Sequence, residues 1–242
     1  MTPPRWEAIA SAAAGEGLRA APFALAGDEG APGAPRARFG ALLAADAEAW
    51  ARFRAAPEAQ DGGPDPLDRW SARVAGALAA RFGARAVLPS DGPPYAPFPA
   101  WALRAEPVWP SRLGPLLHAC RGLWVSWRAA LLFEAVEGAP PPPARGPNPC
   151  GACPAPCLRA CPVDAFAETP QGPRYDVPAC AAHLETPQGA PCREGGCLAR
   201  HACPVGRAAA HPPERAAFHM AAFLRARRAE RAAVESGAGP GG

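Results

Sequence analysis

The residues with the most chemistry in this chain are its cysteines, and eight of the nine fall between Cys150 and Cys203. Thiols at that density ligate metals, carry out redox chemistry or pair as disulfides. Disulfide frameworks belong to oxidising compartments, and the N-terminus, MTPPRWEAIASAAAGEG, lacks the basic start and apolar core of a secretory signal. The expectation is a cytoplasmic protein whose thiols are ligands. The first run, CGACPAPCLRACP, places Cys150, Cys153, Cys157 and Cys161 ahead of Pro162. A 4Fe–4S cluster needs four thiolates around a small cube; one tight loop supplies three, and the fourth comes from elsewhere. The bacterial run C-x2-C-x2-C-x3-C-P does this, its last cysteine ligating the other cluster of a pair. Here one extra residue separates the second and third ligands, across Pro154-Ala155-Pro156.

The second run supplies Cys180, Cys192, Cys197 and Cys203, the last again followed by proline. Crossed sharing puts Cys150, Cys153, Cys157 and Cys203 on one cluster, and Cys161, Cys180, Cys192 and Cys197 on the other. Structural zinc is the alternative, since it also takes four thiolates. Zinc sites usually carry two C-x2-C knuckles, and only Cys150 with Cys153 has that spacing. The ninth thiol, Cys120, stands beside Arg121 and reads as an inert residue. His183 and His201 lie among the ligands, where they could touch a cluster's surroundings or simply face solvent.

Elements that would position these groups follow from periodicity and punctuation. Residues 6–14 read as a helix, 18–25 as a strand and 36–44 as a further strand. Asp46 is placed to cap a helix carrying Trp50 and Phe53. Asp65 and Pro66 open a helix whose Leu67, Trp70, Val74, Leu78 and Phe82 recur at helical spacing until Gly83. A short strand over 86–88 precedes a long loop, 89–114, of the length used for lids and binding segments. Strands over 116–118 and 123–133 then surround a turn at 120–122. The stretch EGAPPPPARGPNP is a linker, and Pro212 with Pro213 open a C-terminal helix to about residue 235. The fold class expected is α+β. An N-terminal α/β domain (1–136) is joined by the linker (137–149) to a cysteine-rich domain (150–211), then the C-terminal helix (212–235) and a disordered tail (236–242).

Composition excludes several classes. The chain has 242 residues, a formal net charge of +3, 34 prolines and 25 glycines. Its hydrophobic fraction of 49% is inflated by alanine, and Ile9 is the single isoleucine. Seven tryptophans and nine phenylalanines leave enough for a modest core. No apolar run reaches the 18 or so residues of a membrane span, so no membrane partner is expected. Every basic residue is arginine, a bias spread over the whole chain, so arginine richness says little for nucleic acid. Arg225, Arg227, Arg228 and Arg231 read as a solvated helix face.

The segments PLLHACRGLWVSWRAALLFE and, after the linker, CGACPAPCLRACPVDAF resemble the centre of the epoxyqueuosine reductase family. The LLHACRGLW piece is also similar to the cobalamin-processing trafficking protein. Over roughly residues 99–205, the resemblance implies a nitroreductase-like, cobalamin-binding α/β domain ahead of an eight-iron ferredoxin-like domain. It matches the eight cysteines one by one to the same crossed ligand sets. The family's Gly–Lys–Asn stretch is PVWPSRLG here, and no residue takes the place of its catalytic aspartate, which implies a different substrate. By the resemblance, His118 lies beside the corrin. Trp124 and Trp127 could stack on a flat cofactor or fill a core; Tyr95, Phe98 and Trp101 could form a lid or anchor the loop. The function expected is electron transfer through two 4Fe–4S clusters, fed by a redox partner protein, to cobalamin or a substrate in the first domain. A plain ferredoxin-like carrier and a zinc-organised binding module are the alternatives.

Overall fold

The computed structural model describes residues 2–25 and 34–236; apart from Ser236, the tail expected to be disordered lies outside them. The chain is a mixed α and β protein with small sheets. It divides into two compact units, Met1–Val108 with Val125–Gly146, and Trp109–Trp124 with Pro147–Gly242. The second boundary falls inside the proline-rich stretch. The first differs from the expected one, because Trp109–Trp124 leaves the N-terminal unit and joins the cysteines. The reason is apolar supply: Leu113, Leu117 and Leu123 bury against Cys157, Ala199 and Cys203, in a region with few large side chains of its own.

In the first unit, α1 (Trp6–Gly15) leads into β1 (Leu18–Ala24) and β2 (Phe39–Ala45). These are followed by α2 (Ala47–Ala55), α3 (Pro66–Phe82), β3 (Arg85–Val87) and α4 (Phe98–Ala105). The chain then enters the second unit, where β4 (Val108–Pro110) pairs with β5 (Leu116–His118), and returns to the first with β6 (Trp127–Phe133), which completes the larger sheet. That sheet runs β1-β2-β6-β3 with every neighbour antiparallel. Its second strand, FGALLAA, is buried on five successive residues, the continuous apolar pattern of a strand covered on both faces. Gly40 is required there, because a Cβ would fall 2.1 Å from the Phe23 ring.

Helix ends follow the sequence with one difference. Asp46 caps α2 by accepting from the Ala47 N–H at 3.0 Å. Asp65 stands before α3, but its side chain makes no cap; its carbonyl instead accepts from the N–H groups of Asp68 and Arg69, each at 3.0 Å. Gly83, at φ 64°, ends the helix in the left-handed conformation that glycine tolerates. Arg128 of β6 ties this helix down through Ser71 Oγ at 3.0 Å and an ion pair with Asp68. A second ion pair joins Arg19 to the buried Glu106, whose other oxygen accepts from Trp127 Nε1 at 2.9 Å.

Two expectations are corrected here. The long loop over 89–114 contains α4 and β4. Phe98, Trp101, Ala102 and Ala105 are buried at helical spacing, and Trp101 stacks on Phe23 with centroids 5.2 Å apart. These aromatics are core, and no lid is formed from them. The strands expected on either side of the 120–122 turn also do not pair as a hairpin: β5 pairs with β4, while β6 begins at Trp127 in the other sheet. Leu123 and Trp124 are buried in the second unit, which keeps them out of the strand.

The second unit continues after the linker with α5 (Pro156–Arg159) and the hairpin β7 (Phe166–Thr169) and β8 (Gly172–Tyr175). Four helices follow, α6 (Val177–Leu184), α7 (Ala190–Gly195), α8 (Leu198–Ala202) and α9 (Pro213–Glu235). Leu184, Cys192 and Leu224 form its second apolar nest, with Met220 and Phe223 against it. Glu185 accepts from Arg228 at 2.8 Å and from Arg231 at 2.9 Å, so the arginine face of α9 is exposed, as expected, and also carries ion pairs. No helix among the described residues is long and apolar enough to cross a membrane.

Candidate functional site

The loop that carries the first thiols is built by short-range hydrogen bonds. Asn148 Oδ1 accepts from the Cys150 N–H at 3.0 Å, while its Nδ2 donates to the Pro110 carbonyl at 3.1 Å. Arg112 bridges the Cys150 carbonyl at 2.8 Å and the Glu168 carboxylate at 2.9 Å. The extra residue of CPAPC is absorbed at Ala155, which sits left-handed at φ 54° between its two prolines. That turn opens α5 and delivers Cys157 into the interior. Cys161 Sγ accepts from the Ala165 N–H at 3.3 Å. Asp176 caps α6 through the Ala179 N–H and so fixes the helix that carries Cys180. Cys197 and Cys203 are the N-cap and C-cap residues of α8.

The thiols fall into two groups that cross the sequence order. Burial, then the like charge of Cys203 and more weakly of Cys150 and Cys153, pushes the Cys157 thiol up. Burial pushes Cys203 up as well, with Cys150 and Cys153 adding to it. In the other group burial raises Cys180, and Cys197, Cys161 and Cys192 raise it further. Burial also raises Cys197, with Cys192 adding. Cys203 therefore neighbours Cys150, Cys153 and Cys157, and Cys180 neighbours Cys161, Cys192 and Cys197. Like charges repel at short range, so these neighbours are spatial ones. Four thiols per group is the donor complement of a 4Fe–4S cluster and of a structural zinc. Among the described residues, no group of three or more His, Cys, Asp or Glu side chains is arranged to hold a single metal ion.

Hydrogen-bond donors are aimed at several of these sulfurs. The Tyr175 hydroxyl donates to Cys180, and its ring stacks on Phe166 at 4.6 Å. Burial and this donation push the Tyr175 phenol well above the usual range. Backbone N–H groups of Arg200 and Ala199 serve Cys197, that of Val205 serves Cys203, and that of Leu158 serves Cys157. Against them lies the turn over 118–122. Gly122 and Gly206, both at positive φ, meet so closely that a Cβ on Gly122 would fall 2.0 Å from the Val205 carbonyl oxygen.

The three residues expected to bind an organic cofactor are divided between the two units. His118 and Trp124 belong to the second unit and Tyr95 to the first, where Tyr95 is 66% exposed. His118 is buried, and its Nδ1 accepts from the N–H groups of Cys120 at 3.1 Å and Arg121 at 3.3 Å. That bond makes it the organiser of its own turn, closed by His118 and Gly122 at 2.8 and 2.9 Å. Trp124 is buried, with Arg200 4.3 Å, His201 4.7 Å and His211 5.2 Å from its ring. Trp124 therefore presents no open face on which a corrin could stack, and His118 Nδ1 is held within its own turn. Trp127 is a half-buried strand residue bonded to Glu106. Cys120 is exposed, and His201 bonds the Gly195 carbonyl at 2.9 Å.

Sequence reasoning passed over Arg200, Tyr175 and His211. Arg200 could have been found from CLARHAC, where it lies midway between two cysteines of different groups. Nothing local marks Tyr175, since only the β7–β8 turn brings it to Cys180. Burial, then the charges of Arg215 and Arg200, pushes His211 down to about 3. No model of a known protein family matches this chain, and no curated protein matches it.

Proposed function

We propose that this protein is an electron carrier holding two 4Fe–4S clusters, one on Cys150, Cys153, Cys157 and Cys203 and the other on Cys161, Cys180, Cys192 and Cys197. The observation that supports this reading is the crossed neighbourhood of the thiols, in which each group takes one member from beyond its own run. Crossing of this kind is the arrangement of two-cluster bacterial ferredoxins, and the second unit is read as a ferredoxin-like domain on that ground. When bound, such a cluster accepts and returns one electron.

The chain's own residues do the rest. The apolar nests around Leu117 and Leu184 keep water from the sulfurs. The N–H groups of Ala165, Ala199, Arg200 and Val205, with the Tyr175 hydroxyl, offset thiolate charge by donating to sulfur. Both act on reduction potential through solvent exposure and hydrogen bonding to sulfur. The exchange partner on this reading is another redox protein.

The test is iron and acid-labile sulfide per chain in anaerobically purified protein, with spectra before and after dithionite. About eight of each, and a brown chromophore bleached by reduction, is the expected result. About two zinc ions without sulfide would replace this reading with a zinc-organised module.

A further inference from the structure

Helix α9 runs on past the core it docks against. Met220, Phe223 and Leu224 lie in the nest with Leu184 and Cys192, but over residues 225–235 no side chain of the helix is buried. That projecting stretch is about 16 Å long. The stripe that carries Met220 and Leu224 continues at the same spacing through Arg227, Arg231 and Val234, so the projecting face is the one the earlier turns hide. Val234 on it is 70% exposed. This face forms one wall of an open groove of about 610 Å³, whose other wall is Val177, Pro178, Ala181 and Ala182 of α6. Pro178 and Ala182 are exposed as well.

The α9 wall carries its charges in the order Arg227, Glu230, Arg231, Glu235. An occupant of one charge sign would be repelled at half of these positions. A helix with the opposite order is attracted at all of them, and α9 read backwards is such a helix. Laid antiparallel and centred at residues 230–231, a second α9 sets Arg227 beside Glu235 and Glu230 beside Arg231, once on each side of the two-fold axis. Within the chain Arg227 pairs with Glu230 at 2.5 Å and Arg231 with Glu185 at 2.9 Å, but exposed pairs hold their side chains weakly and leave them available to a partner.

We propose that the groove between α6 and α9 is a self-association surface, occupied by α9 of a second copy of this chain. Val234 of each copy seats in the apolar groove of the other, and the isologous contact closes at two chains. The contact spans a few helical turns, at the small end of specific interfaces, so dimer exchanges with monomer. None of the thiols takes part.

The experiment is sedimentation velocity of full-length, anaerobically purified protein from about 1 to about 300 µM, a range that brackets a reversible contact of this size. The weight-average mass is expected to climb from that of one chain towards that of two. Val234→Ser changes a side chain the fold does not bury, removes an apolar contact from each half of the dimer and weakens association about a hundredfold. Glu235→Arg and Arg227→Glu each bring like charges together twice and weaken it about tenfold. An equimolar mixture of those two variants restores opposite charges at both contacts and recovers most of the loss. Tyr95→Ser, which removes the exposed aromatic of the first unit, leaves the mass profile unchanged. If Arg227→Glu loses helix signal in circular dichroism, the exposed Val234 and Glu235 variants decide. A one-chain mass at every concentration would overturn the proposal and leave the groove to a different protein. So would a dimer that withstands both Val234→Ser and Glu235→Arg, or one that Tyr95→Ser dissolves.

Discussion

The two units of this chain solve the problem of staying folded in opposite ways. The first buries large apolar side chains, with Trp101, Phe23, Phe53, Ile9, Leu42, Leu43 and Leu131 all below 2% exposure. In the second, only Leu117 and Leu184 among the large apolar residues are buried to that degree. Its nests are completed by thiols, Cys157, Cys192 and Cys203. Burying a thiol beside three others raises its pKa and leaves no bonding gain until something binds the sulfurs. One unit therefore has its stability in its own core, and on the proposed two-cluster reading the other draws it from what the sulfurs hold. Metal-site binding energy is folding energy where no core exists to replace it.

Removing iron should break the comparison open most visibly. Chelation under reducing conditions is expected to strip amide-exchange protection from residues 109–124 and 147–224 while the β1-β2-β6-β3 sheet keeps its own. Hydrogen exchange read by mass spectrometry separates the two. Equal protection in both units after complete iron loss would show that the leucine nests suffice.

The converse perturbation is Trp101→Ala. It removes a fully buried ring stacked on Phe23 and in contact with Phe98 at 5.2 Å, a change worth about 4 kcal/mol. Exchange protection of the first unit's sheet should fall accordingly, with iron content per chain unchanged. Loss of iron in parallel would mean that the units do not stand on separate foundations.

What was legible in the sequence divides along the same line. Helix α3 could be read from Trp70, Val74 and Leu78 because a period of 3.6 records which face is buried. The equally regular Phe98, Trp101, Ala102 and Ala105 were obscured by the prolines around them, although Pro99 in the first turn is compatible with a helix. In the second unit, cysteine types and spacing suggested the crossed grouping that is proposed above. The surroundings of the thiols could not be read in that way. Tyr175 reaches Cys180 through a hairpin, and Trp124 is claimed by Arg200 and His201 of α8 and by His211 just before α9. A resemblance placed His118 at a cofactor, whereas its Nδ1 is occupied by its own turn.

The acid side of stability sharpens the contrast further, because all five histidines lie in the second unit. His211 is buried against Trp124 and His219, facing Arg215 and Arg200. Its folded pKa of about 3 lies below the unfolded value near 6.5, so the folded state holds the neutral ring and the unfolded state takes up the proton. The stability this contributes is complete above pH 6.5 and is lost as pH falls from there towards 3. By pH 5 the loss is about 2 kcal/mol. Iron retention against chelator should weaken over that window in the parent protein, and His211→Gln should flatten the dependence. A profile unchanged by the substitution would place the acid sensitivity elsewhere.

The smallest effect lies where the ligand loop departs from the usual spacing. Ala155 is held at φ 54° and ψ 51°, a conformation that costs an L-residue about 1 kcal/mol and glycine almost nothing. Ala155 shares that conformation in the thiol-bearing stretch with Asp164, at φ 48°, and stands between the two prolines of the insertion between Cys153 and Cys157. Ala155→Gly removes the penalty at the cost of a looser unfolded chain, and Ala155→Val deepens it. Iron loss to a chelator should be up to about fivefold slower in the glycine variant, and faster in the valine one. Faster loss from the glycine variant would show that the loop depends on the stiffness of Ala155 between its prolines more than it suffers from the strain.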